Sequence, residues 1–229
     1  MQRLVKTSEK LGNRWTIIVC DQALYELATA IRMKEPQNFS NVILLLGGFH
    51  QAHNFLKATL KIMRNSGGEE LLCHSGLCQE GTANKIFGEK ADYYQSLHAL
   101  QIIAEAMWQL FWKAFINWLQ ENELHIDDTA MATAMELGKS VQPYTMQELL
   151  EVDLGNIEEL IEQFRETLQV QPTANYWLAF LDMARIFLRF LFYQRQGNWL
   201  GYLSESAKML PFFTAAGHYK RSGNRWNCV

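Results

Sequence analysis

Two short apolar runs, WTIIVC ending at Cys20 and NVILLL ending at Leu46, are joined by a single stretch of helical period. That order constrains the fold more than any other feature. Strand, helix, strand is a crossover connection, so the two strands are expected to be parallel neighbours over about Thr16–Cys20 and Val42–Leu46. The intervening DQALYELATAIRMK sets Leu24, Leu27, Ala28 and Ile31 at helical spacing, and Pro36 lies beyond its end. Gly47 and Gly48 close the second run. A further helix then carries Phe49, His53, Leu56, Leu60 and Met63, and is expected to stop at the pair Gly67–Gly68. Two strands do not make an independently stable sheet, so they must pack on helices, on a partner or on other strands.

Beyond residue 68 no stretch reads as a strand. ADYYQSLHALQIIAEAMWQLFWKAFINWLQENE gives one long helix, with Leu100, Ile103, Met107, Leu110, Ala114 and Trp118 on one stripe and Trp108, Trp112 and Ile116 on a second. A helix apolar on both stripes is expected to be central. DDTAMATAMELG reads as a short helix between a cap at Asp127 or Asp128 and Gly138, and TMQELLEVDLGNIEELIEQFRETLQ as an acidic hairpin or broken helix. TANYWLAFLDMARIFLRFLFYQRQG and WLGYLSESAKMLPFFTAAG are the last two helices. Charges interrupt both long apolar segments (Glu105 and Lys113; Asp182, Arg185 and Arg189), which is costly at a bilayer centre. They are read as buried core helices, with Trp108, Phe111, Phe115, Phe180 and Phe187 expected in one core and no membrane partner. The fold class is mainly α with a small parallel β element.

With 48% hydrophobic and 12% aromatic residues the chain is not a disordered polymer. Its net charge of −3 does not advertise a nucleic-acid binder, yet the charge is uneven. Between Glu121 and Glu166 there are twelve Asp and Glu against Lys139 and Arg165, whereas Arg3, Lys6, Lys10 and Arg14 make one end basic and Lys220, Arg221 and Arg225 the other. Only weak, salt-sensitive nucleic-acid contact is expected from such ends, and a protein partner or self-association stays open. Segment 1–14 is a basic N-terminal stretch, 15–67 the strand-bearing unit, 68–217 a helical domain and 218–229 a loose basic tail. Four cysteines at this length do not make a disulfide scaffold, and MQRLVKTSEK lacks the apolar core of a signal peptide. An intracellular setting, nuclear or cytoplasmic, is the resulting expectation.

Three motifs carry possible chemistry, each beside a plainer reading. CHSGLC brings Cys73, His74 and Cys78 together, with His98 further on, but lacks the second distant pair of a zinc site, so no zinc is expected. GGFHQAH sets His50 and His53 on one helix face, where they could join a third metal ligand or where His53 could simply continue the apolar stripe. Asp21 follows the first strand directly. It could cap the helix from Gln22, or it could mark the sheet edge where α/β proteins assemble catalytic sites.

IVCDQALY, followed by VILLLGGFHQAHNFLKATLKIMRNSG and later by WLGYLSESAKMLPFFTAAGHYK, resembles a multi-copy eukaryotic family related to hAT-type transposases. The resemblance covers most of residues 15–219. It implies an RNase H-like core interrupted by a helical insertion, with 15–67 as a βαβα remnant of that core. It further implies Mg²⁺-dependent phosphoryl transfer on DNA, as in DDE-type transposases. Asp21 matches the strand-end acid, His50 the histidine that follows, and Glu205 is the candidate for the acid on a late helix. An earlier strand acid has no counterpart in MQRLVKTSEKLGNR, and YKRSGNRWNCV departs from the Tyr-rich helix of those relatives. The chain is therefore expected to be a piece truncated at both ends, with Asp21 and Glu205 as vestigial catalytic residues, Asp21 and His50 as weak metal ligands, Mg²⁺ not held tightly and no activity of its own. The alternative is a helical interaction module without a catalytic role.

Overall fold

A computed structural model of the chain describes residues 1–88, 91–129, 132 and 155–217. In chain order the elements are α1 (Gln2–Lys10), β1 (Thr16–Cys20), α2 (Gln22–Lys34), β2 (Val42–Leu46), α3 (Gly48–Met63), α4 (Gly68–His74), α5 (Glu80–Ile86), α6 (Tyr93–Glu121), α7 (Ile157–Gln169), α8 (Pro172–Gln196) and α9 (Trp199–Ala215). The protein is mainly helical with one small parallel sheet. The expected helix around DDTAMATAMELG falls almost wholly outside the described residues. So do the first part of the acidic segment and the tail 218–229.

β1 and β2 pair in parallel, with Thr16 opposite Val42 and Cys20 opposite Leu46. Because side chains alternate along a strand, this register divides the sheet into two unlike faces. On one face Ile18, Val42 and Leu44 pack with Val5 of α1, Ile31 of α2, and Phe39. On the other, Ile17 and Val19 are 57% and 62% exposed, and Ile43 beside them is exposed too. The α1 helix was not expected from the basic N-terminal segment; Val5 anchors it to the sheet.

The α3 helix ends at Met63, short of the glycine pair, because Arg64 turns extended and Asn65 takes a left-handed backbone at φ 58°. Gly67, at φ 97°, then serves as the N-cap of α4 instead of the end of α3. A backbone in that region suits glycine, which has no Cβ to clash.

The described chain forms two compact units, Met1–Leu100 with the chain from Met183 onward, and Gln101–Asp182. In the first, Phe55 of α3 meets Phe187 of α8 at 6.1 Å between ring centroids, and Phe212 and Phe213 of α9 at 6.0 and 5.6 Å. Gly201 lets α9 approach α8: a Cβ there would stand 2.5 Å from the Tyr193 ring. In the second, Phe164 of α7 contacts Phe111, Phe115 and Trp118 of α6 at 5.4–5.6 Å. Arg165 Nη2 donates to Asp182 at 2.7 Å, which explains how a carboxylate is tolerated within an apolar helix.

These contacts correct two expectations. The five residues assigned to one core fall in two units, Phe187 in the first and Trp108, Phe111, Phe115 and Phe180 in the second. The α6 helix is not buried all round. Its buried side chains include Leu100, Ile103, Ala104, Phe111, Phe115 and Leu119, while Leu110, Trp112 and Ile116 are exposed. With apolar residues on nearly every side, spacing could not say which stripe would find partners.

Candidate functional site

β1 ends at Cys20 and β2 at Leu46, so the parallel register places Asp21 and Gly47 side by side at the carboxyl edge of the sheet. The Gly47 N–H donates to the Cys20 carbonyl at 2.8 Å, which extends the ladder to that edge. Asp21 has the extended backbone of an N-cap, φ −67° and ψ 173°, and its Oδ1 accepts the Leu24 N–H at 2.9 Å. One of the orphan donors of α2 is thereby satisfied. Its neighbour Gln22 accepts from Asn54 Nδ2 at 3.2 Å, tying the start of α2 to α3.

His50 lies in the first turn of α3, half-buried, edge-on to Phe49 at 5.9 Å. His53, one turn on, stands between Phe49 at 6.1 Å and Tyr93 of α6 at 5.7 Å. Its Nε2 is buried without a hydrogen-bond partner among the described residues. Burial pushes its pKa below the ordinary value, and the nearby Lys57 and His50 add to the effect. The histidine that continues the apolar stripe thus packs within an aromatic group, where burial favours its neutral ring.

Glu205 lies on α9 and is 1% exposed. Its Oε1 meets two cations, Arg189 Nε of α8 at 3.1 Å and Lys208 Nζ at 3.0 Å. Arg189 also donates to the Tyr193 hydroxyl at 3.0 Å and lies over that ring. One turn to either side of Glu205, Tyr202 and Met209 meet Gln51 in the first turn of α3. The Tyr202 hydroxyl donates to Gln51 Oε1 at 2.9 Å, and Gln51 Nε2 approaches Met209 Sδ at 3.8 Å. The α9 face bearing Glu205 is thus applied to the part of α3 that leaves the sheet edge.

Mg²⁺ asks for near-octahedral oxygen ligands, usually including one or two carboxylates. The donor set here does not fit that demand. One oxygen of Asp21 is engaged by the helix start, and the charge of Glu205 is already matched by two cations, which would repel a third. Among the described residues, no three His, Cys, Asp or Glu side chains are grouped to hold a metal ion. Cys73 and His74 close α4, and Cys78 lies in the turn before α5. Partial burial pushes the Cys73 thiol up, and Cys78, Glu80 and Glu70 push it the same way, against the thiolate that zinc binds.

Sequence reasoning named Glu205 but not its partners. Lys208 was legible as the residue three further along the same helix. Arg189 was visible as a charge within an apolar run, and it is the buried carboxylate of Glu205, not the exposed guanidinium, that demands a partner. No helix among the described residues is long and apolar enough to cross a membrane.

Residues 1–224 match the pattern of a family described as a domain of unknown function, DUF8702, and the chain belongs to that family. No curated protein and no solved structure matches it.

Proposed function

We propose that this chain is a transposable-element-derived, RNase H-like domain whose catalytic-position carboxylates now serve the fold, so that it does not transfer phosphoryl groups. The observation that carries the reading is the engagement of both acids. Asp21 ends a strand as a catalytic acid of that fold would, and it caps α2. Glu205 comes from a late helix applied to α3, and it is buried against Arg189 and Lys208. His50, on the helix that leaves the second strand, completes the order of elements that the resemblance implies.

A cleavage assay tests this. The purified chain, given Mg²⁺ or Mn²⁺ and labelled single- and double-stranded DNA, is expected to leave both intact. Metal-dependent cleavage that disappears in Asp21→Asn would overturn the proposal.

A second reading, a helical interaction module, is favoured by the sheet face on which Ile17, Val19 and Ile43 are exposed. Parallel sheets are ordinarily covered on both faces. Self-association through that face predicts a concentration-dependent mass in sedimentation equilibrium that Ile17→Lys with Val19→Lys abolishes. A monomer at every concentration would remove it.

A further inference from the structure

Just past the carboxyl end of β2 lies an open cleft of about 190 Å³ that neither acid lines. Three elements of the first compact unit build it. Phe49 of α3 and Tyr93 and Tyr94 of α6 supply rings, Ala52 and Leu97 an apolar floor, and Gln194 and Arg195 of α8 a polar rim. Phe49 and Tyr94 are 51% and 73% exposed, so two large rings stand in water at its mouth. Phe49 and Tyr93 are 5.0 Å apart and inclined at 59°; Tyr93 and Tyr94 are 5.3 Å apart at 79°. Rings inclined in this way are not stacked face to face, and the exposure of Phe49 and Tyr94 leaves ring surface open to a flat guest.

The volume is smaller than the several hundred Å³ of a drug-sized pocket and suits one ring system. Charge decides what accompanies that ring. Among the described residues, no carboxylate lines the cleft. Asp92, next to Tyr93, directs its Oδ1 to the Gln95 N–H at 3.0 Å. The sequence of the unit carries eighteen Lys and Arg against ten Asp and Glu. A flat group attached to a negative backbone is the chemistry that aromatic rings with an adjacent guanidinium recognise, and stacking on aromatics tolerates any base.

We infer that this cleft receives one unstacked base of a single-stranded nucleic acid, with the ring against Phe49 and Tyr94 and the neighbouring phosphate at Arg195. The inference does not depend on whether Asp21 and Glu205 descend from catalytic acids. A duplex does not satisfy it, since paired bases keep their faces stacked inside the helix. An aromatic side chain of a peptide would fill the same volume, but the positive balance of the unit and the arginine at the rim favour a polyanion.

Fluorescence anisotropy on the full chain tests the assignment. The probes are a labelled oligothymidylate of about twelve nucleotides, within the usual range of single-strand sites, an abasic strand of equal length and a duplex of equal length. The base-bearing strand is expected to bind more tightly than the other two. Phe49→Ala and Tyr94→Ala should each weaken that binding by about fivefold to a hundredfold, and neither should weaken binding of the abasic strand. Arg195→Gln should lower the slope of log affinity against log salt by about 0.7. If a ring variant fails to fold, the comparison of base-bearing with abasic strand on the unaltered chain decides the matter. Equal affinity for the abasic strand, preference for the duplex, or undiminished affinity in both ring variants would overturn the inference. So would binding of a short acidic tyrosine-containing peptide where the oligonucleotide does not bind.

Discussion

In the unit that carries the strands, Asp21 is fixed to the start of α2 and Glu205 is held between Arg189 and Lys208. In the unit formed by 101–182, Glu158, Glu159, Glu162 and Glu166 instead lie exposed along α7, whose opposite side buries Ile157, Leu160 and Phe164. Sequence counts follow the same division: eighteen Lys and Arg to ten Asp and Glu in the first unit, three to fourteen in the second. A net charge of −3 therefore averages two regions of opposite sign. The acidic region reads as the solvated side of an amphipathic helix, with Glu158 and Glu159 also favourably placed against the helix dipole at its start. Asp21 and Glu205, the two acids of the strand-bearing region singled out by the resemblance, are both engaged by partners within it. Charge that looks alike in the sequence thus serves solvation in one unit and internal fixation in the other.

The largest effects should come from the two aromatic cores. Phe187 is completely buried in the first unit, and Phe164 is 3% exposed in the second. Phe187→Ala and Phe164→Ala should each cost about 3–5 kcal/mol, from lost transfer energy and the cavity left behind. Urea denaturation followed by tryptophan fluorescence and by circular dichroism would measure it. An unchanged midpoint for either variant would break the assignment of that core.

A smaller effect separates capping from metal binding at the sheet edge. Asn caps a helix about as well as Asp, so Asp21→Asn should leave stability almost unchanged, whereas Asp21→Ala should lose about 0.5–2 kcal/mol. Equal losses in both would mean that the charge of Asp21, and not its hydrogen bond to Leu24, matters.

The smallest effect is pH dependence at His53. The fold favours its neutral ring, so between the lowered folded pKa and the ordinary value of 6.5 the unfolded chain binds the proton more readily. Its contribution to stability is fully present above 6.5 and is lost as pH falls towards the folded value. Thermal melts at about pH 7.5 and about pH 5.5 should show a larger drop for the natural chain than for His53→Gln. Equal drops would contradict that placement.

Much of the strand-bearing unit was legible in advance. Two β-branched runs around a helical stretch gave the parallel pair with its limits at Thr16–Cys20 and Val42–Leu46, and Asp21 was recognisable as a cap from its position before Gln22. The helical part was harder to read, because α6 presents apolar residues on almost every side and spacing does not choose among equivalent stripes. The short α4 and α5 helices were missed, since seven residues hold scarcely two turns of pattern. The pairing of Arg189 with Glu205 joins α8 to α9 and depends on how those helices pack, which no local spacing encodes. The aromatic cleft is non-local in the same way. Its rings come from residues 49, 93 and 94, and its cation from 195.

The central claim is that acids at positions resembling a catalytic set now stabilise the fold, and Glu205→Gln tests it most directly. Carboxylates kept together for a metal repel one another, and neutralising one tends to stabilise such a protein. A carboxylate matched by two cations behaves in the opposite way. Glu205→Gln removes a buried charge-assisted interaction and should lower stability by about 1.5–3 kcal/mol in urea denaturation at neutral pH without added metal. Unchanged or increased stability of Glu205→Gln would contradict the account.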